Sequence, residues 1–171
     1  MTKTMKNFKL KRGFTLSELL IVIAIMGILL SLTTINLFSA YYKNNLNTSL
    51  DVLLADLRQQ QLKAMVADTQ GASTRRAHGI YFKSDSYVLY QGGLTGNSYL
   101  STDPFNFEVK PNEEVQFTNI FLPNSQVLFA SNSGEIVDYD PLLNYVTLKN
   151  IHTEETKTIR FNQFGTVDSI Y

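Results

Sequence analysis

Cysteine is absent from all 171 residues, which excludes disulfide bridges and thiolate metal sites. That absence leaves the compartment open, since a domain outside the cytoplasm can fold without bridges. Proline is absent from residues 14–40. Acidic residues are absent from the first thirteen positions, which carry Lys3, Lys6, Lys9, Lys11 and Arg12. Ten basic residues then face all fifteen acids, so residues 14–171 have a formal net charge of −5 although the whole chain sums to zero. A net-acidic portion of this kind argues against general affinity for DNA or RNA. Catalytic signatures are missing as well: no Ser/His/Asp arrangement, no glycine-rich phosphate loop and no metal-binding helix motif. His78 and His152 stand apart from any nucleophile or ligand pattern. Neither enzymatic activity nor a bound cofactor is expected.

What is present is concentrated at the N-terminus. Lys11-Arg12-Gly13-Phe14-Thr15-Leu16-Ser17-Glu18 leads directly into Leu19-Leu20-Ile21-Val22-Ile23-Ala24-Ile25-Met26-Gly27-Ile28-Leu29-Leu30. From Leu19 to Phe38 there are twenty positions, close to the ~20 residues that cross a hydrocarbon core as a helix. A carboxylate within such a span costs roughly 2.5–3.5 kcal/mol at the helix centre, so Glu18 at its mouth calls for a partner and a job. The basic flank should stay in the cytoplasm and the remainder lie on the other side. A single-pass protein of the cytoplasmic membrane, in contact with its lipids, is therefore expected. Gly13 leaves the backbone open to a protease, and a helix beginning at Phe14 would put Phe14 and Glu18 on one face. A carboxylate in lipid is relieved by protonation or by a cation, and a free amine at Phe14 would supply one.

Further along, Leu46, Leu50, Leu53, Leu54 and Leu57 recur at three- and four-residue steps, with Leu62 and Met65 nearby. The spacing predicts an amphipathic continuation of the same helix to about residue 67. Asp68-Thr69-Gln70-Gly71-Ala72-Ser73 ends it. Short β-type runs follow at 79–82, 87–90, 105–109, 115–121, 127–130, 136–139, 145–148, 157–161 and 167–170, with a glycine-containing loop at 92–97 and a turn at 132–134. The expected fold is α+β: a long N-terminal helix, transmembrane in its first half and amphipathic in its second, packed on an antiparallel β-sheet or sandwich. Four segments result: a basic leader at 1–13, a transmembrane and assembly helix at 14–40, its amphipathic continuation at 41–67, and a β-rich domain at 68–171.

The stretch from Lys11 to Leu20 with the apolar helix behind it resembles the type IV pilin and pseudopilin superfamily over about residues 11–35. The resemblance implies a prepilin. Prepilin peptidase would cut between Gly13 and Phe14, the new amino group of Phe14 would be methylated, and Glu18 would promote assembly by facing the N-terminal ammonium of a neighbouring pilin subunit. Ser17 stands where family members usually carry an apolar residue, and Ile35 near where many have proline. A looser resemblance, in Leu53–Met65, Gly79-Ile80-Tyr81-Phe82, Val127-Leu128-Phe129 with Gly134, and Ile159–Val167, is to the GspH/FimT group of minor pilins and pseudopilins. It implies a long helix on a β-sandwich in a subunit of a type IV pilus or a type II secretion pseudopilus.

The alternative is a DNA-binding minor pilin of a competence pilus, for which Arg75 and Arg76 are the candidate nucleic-acid contacts. The tail after Gly165 carries no basic residue, so DNA is not favoured. Asp138, Asp140, Glu154 and Glu155 would suit calcium only if their turns met; charged turns are usually just solvated, and no metal site is expected.

Overall fold

A computed structural model describes residues 13–69, 76–92 and 98–171, the side chains of Ile35, Asn36 and Ser39 apart. The chain falls into two compact units, Met1–Phe38 and Ser39–Tyr171. One helix assignment, α1, covers Leu16–Met65, and the boundary between the units falls within it. The fold is α+β.

In the second unit the leucine periodicity is realised as a buried stripe: Leu46, Leu50, Leu53 and Leu57 lie inside. The stripe continues through Gln60 and Ala64, not through Leu62 and Met65, which are 60 % and 49 % exposed. Ala64 lies seven residues from Leu57, nearly two whole turns and so almost directly along the stripe, whereas Met65 and Leu62 are rotated progressively away from it. The helix closes earlier than its string of turn-forming residues suggests. Ala67 takes a left-handed φ of 52°, its amide donates to the Ala64 carbonyl at 3.0 Å, and the Asp68 amide donates to Lys63 at 2.9 Å. This pairing is the Schellman closure, here made with alanine where glycine is usual. Residues 70–73 of the expected terminator lie outside the described residues.

Among the described residues eight strands follow: β1 His78–Phe82, β2 Tyr87–Gln91, β3 Phe107–Val109, β4 Val115–Phe121, β5 Gln126–Phe129, β6 Tyr145–Asn150, β7 Thr156–Phe161 and β8 Val167–Ile170. They form two antiparallel four-stranded sheets, ordered β3-β2-β1-β5 and β4-β6-β7-β8. Alternation sends Ile80, Phe82, Tyr87, Val127 and Phe129 of the first sheet into one core with Val115, Phe117, Val146, Leu148, Ile159 and Phe161 of the second. The buried stripe of α1 joins the same core. Phe117 meets Phe82 edge-on at 5.4 Å between ring centres, and the Phe117 amide donates to Ser84, joining the two sheets. The outer face of the first sheet carries a smaller cluster of Tyr90, Ala77 and Leu128, with Tyr99 stacked on Tyr81 at 4.3 Å.

Two expected strands change. Residues 136–139 make only an isolated bridge, Phe129 to Ile136. Asp138 at φ 54° turns the chain out of the extended region there, although Val137 still donates to Leu128. The strand expected from 105 starts at Phe107. Asp103 Oδ1 accepts the Phe105 amide and the Asp103 carbonyl accepts the Asn106 amide, holding that stretch in a turn. Residues 93–97 of the expected glycine loop lie outside the described residues.

Candidate functional site

Gly13, Phe14 and Thr15 precede the first helical residue in non-helical backbone. A side-chain carbon placed on Gly13 would meet nothing within 4 Å, and Phe14 is 88 % exposed. Gly13 and Phe14 are thus left uncovered by the described residues. Because α1 begins at Leu16, Phe14 lies outside the helix, and the expected shared face of Phe14 and Glu18 is not formed. Early capping is the physical reason.

Thr15 is the cap. Its carbonyl accepts the Leu19 amide at 3.2 Å, and its Oγ1 accepts the Glu18 amide at 3.3 Å. In return Glu18 Oε2 accepts the Thr15 amide at 2.9 Å and the Thr15 hydroxyl at 2.8 Å. This is a capping box, in which the first-turn donors are satisfied by a Thr and by a Glu three residues on. The Thr15-x-x-Glu18 spacing is visible in the sequence, and Thr15 is the residue that the sequence reading passed over. Within one chain, then, Glu18 already has a neutral partner, and both bonds fall on a single carboxylate oxygen.

Behind the cap, Leu16–Thr34 has a mean hydropathy of 2.4, and none of it is buried within the protein. The hydroxyls toward its far end are turned inward to the backbone. Ser31 Oγ donates to the Ile28 carbonyl at 2.7 Å, while Thr33 and Thr34 donate to the Leu30 carbonyl at 2.9 and 2.8 Å. Such back-bonding removes the cost of bare hydroxyls in hydrocarbon. The segment is long and apolar enough to cross a membrane.

The remaining candidates are dispersed. Arg75 lies outside the described residues. Arg76 is mostly buried, with Nη1 3.8 Å from Asp103 Oδ2, so a carboxylate already opposes its charge. His78 is buried, and its Nε2 pairs with the Asp68 carbonyl at 2.8 Å. His152 stacks near Tyr42, 4.0 Å from Glu114. Glu154 pairs with Lys149, and Asp140 Oδ1 accepts the Leu142 amide inside its own turn. Among the described residues no three His, Asp or Glu side chains gather as a metal site would require.

A family model described as the prokaryotic N-terminal methylation motif matches residues 8–34. The match includes Gly13, Phe14, the Thr15–Glu18 cap and the whole apolar span. It supports the type IV pilin and pseudopilin superfamily, whose motif marks structural subunits processed by prepilin peptidase and assembled with other pilins. No curated protein and no solved structure matches the chain.

Proposed function

We propose that the protein is a minor pilin or pseudopilin of the GspH/FimT kind, a non-enzymatic subunit of a type IV pilus or a type II secretion pseudopilus. Prepilin peptidase cuts between Gly13 and Phe14, and the Phe14 amine is then methylated. Residues 14 to about 40 hold the subunit in the cytoplasmic membrane and later contribute to the apolar core of the filament, with residues 68–171 outside the cytoplasm. One observation carries the reading: the methylation motif coincides with an open Gly13–Phe14 bond in front of a capped helix that has no cover of its own.

Glu18 serves twice in this account. In the lone subunit it accepts two bonds from Thr15. In the filament it faces the Phe14 ammonium of a neighbour, a stronger, charge-assisted partner in a water-poor setting. Exchanging a neutral partner for a charged one makes the carboxylate favour the assembled state. Nucleic acid is not favoured as a partner, since Asp103 opposes Arg76.

The experiment is co-expression with the filament machinery, followed by shearing and separation of filaments from membranes. Wild-type protein should enter the filament fraction, and Glu18→Leu should stay in the membrane although still processed. Equal entry of both forms would remove the assembly role of Glu18. Absence of the wild type from filaments would remove the subunit reading.

A further inference from the structure

In the first sheet, strand register forms two core-facing rows, Ile80–Leu89–Phe107 and Phe82–Tyr87–Val109. Along the first row, cover is lost step by step. Ile80 is fully buried, Leu89 half-buried and Phe107 65 % exposed. Phe107 is thus an inward-pointing aromatic on an edge strand with little over it. Between the flank of α1 and β3 runs a groove of about 480 Å³ lined by Val52, Asp56, Lys63, Leu89, Phe105 and Phe107. A hollow of about 320 Å³ shares Val52 and Val109 with it and extends it to Asn45 and Lys110. Among the described residues no strand lies beyond β3 in its sheet.

The charges along this groove are Asp56, Lys63 and Lys110. Asp56 Oδ2 accepts the Tyr87 hydroxyl at 2.6 Å. Neither lysine has an ion pair within 4 Å among the described residues. Glu108, the carboxylate that Lys110 feels, is already held by Lys83 and Ser86. An otherwise acidic domain therefore has a trough in which Val52, Leu89, Phe105 and Phe107 lie beside Gln59 and Gln60, with a cation toward each end. α1 rises about 17 Å from Val52 to Lys63 at ~1.5 Å per residue, the reach of about five extended residues. An edge strand offers backbone donors and acceptors that an extended chain can pair with and a helix cannot.

We propose that an extended segment of another filament subunit adds to the β3 edge and fills this groove. Its apolar side chain lies against Phe107 and Leu89, and acidic residues on either side of it meet Lys63 and Lys110. The proposal rests on the filament-subunit reading and names the surface through which that partner is held outside the membrane.

The test uses the full-length protein in cells that build the filament, with a photoreactive phenylalanine analogue at Phe107. Phe164, also 65 % exposed, serves as the control position. Illumination should link position 107 to an acidic segment of a different subunit, and position 164 should not give that adduct. Lys63→Glu with Lys110→Glu should cut the adduct at least fivefold, and the Gln pair should cut it less, with the thermal unfolding of both variants as the check on folding. No adduct at 107, an adduct to lipid or to a second copy of this chain, or indifference to charge reversal overturns the groove proposal. The mass of the same sample separates the two failures. Processed protein without the adduct sinks the groove alone, and unprocessed protein sinks the subunit reading with it.

Discussion

Between Leu16 and Thr34 no part of α1 is buried by its own chain, whereas farther along the same helix Leu46, Leu53 and Ala64 have no exposed surface at all. The two stretches share a backbone conformation and differ in pattern. The first is apolar on every side, so covering any single face would not satisfy it, and it is long enough to cross a membrane. The second confines its apolar residues to a stripe that two sheets can cover. Periodicity, more than hydrophobicity, separates the part of the helix that folds with its own domain from the part that is left without cover.

Substitutions in the two stretches should differ sharply in their effect on the domain. Phe129 is fully buried, and Phe129→Ala should destabilise the second unit by about 3–5 kcal/mol through lost burial and a residual cavity. Ile23→Ala, at a side chain 58 % exposed, should leave that stability within about 0.5 kcal/mol. Chemical unfolding of the full-length protein in detergent, followed by tyrosine fluorescence, measures both. Equal losses would mean that the span contributes to the domain's core after all.

Gly165 comes next. Its φ is +76°, and a side-chain carbon there would stand 2.8 Å from the Gly134 carbonyl oxygen and 2.8 Å from the Phe129 ring. Gly165→Ala should cost about 1–3 kcal/mol, combining left-handed strain with displacement of the backbone that Gln61 binds. An unchanged unfolding midpoint would show that this end of the core yields freely.

At the other end of α1, Thr15→Val removes the cap but keeps the Glu18 charge. The expected cost is about 1 kcal/mol, confined to the first turn and readable as faster amide exchange at Ser17 and Glu18. The variant should still be processed and should enter filaments better than Glu18→Leu does. Identical assembly defects would mean that capping, not charge, is what Glu18 supplies.

The smallest effect concerns pH. Burial pushes His78 below its ordinary value of 6.5, outweighing the Asp68 carbonyl that favours the charged form, with Lys63 nearby adding to the fall. As pH drops through 6.5 the unfolded chain takes up this proton before the folded one does, so stability present above 6.5 declines below it. Unfolding at pH 7.5 and 5.5 should show that decline in the wild type and a weaker one in His78→Gln. A parallel decline in both would assign it elsewhere.

The sequence made the helix, the apolar span and most of the strands legible because each is a local pattern of period 3.6 or 2. Leu46, Leu50, Leu53 and Leu57 could be read inward directly. Pairing β1 with both β2 and β5, and dividing eight strands between two sheets, depends on contacts distant in sequence that no local period encodes. The 136–139 run had β-forming residues, yet Asp138 turned it. The methylation motif around Gly13, Phe14 and Glu18 was legible from residue types at fixed offsets. Thr15 was equally visible as the first member of a capping box, because Thr15-x-x-Glu18 carries the spacing of a helix start. The β3 groove was not legible, since Phe107 looks like any strand aromatic until register shows that its row has lost its cover.

The most direct test of the central claim is the intact mass of the membrane-inserted protein made with and without a prepilin peptidase. A prepilin should lose residues 1–13 and gain one methyl group on the new N-terminal Phe14 when the peptidase is present. An unchanged mass beside an active peptidase, or a cut farther along the apolar run, would contradict it.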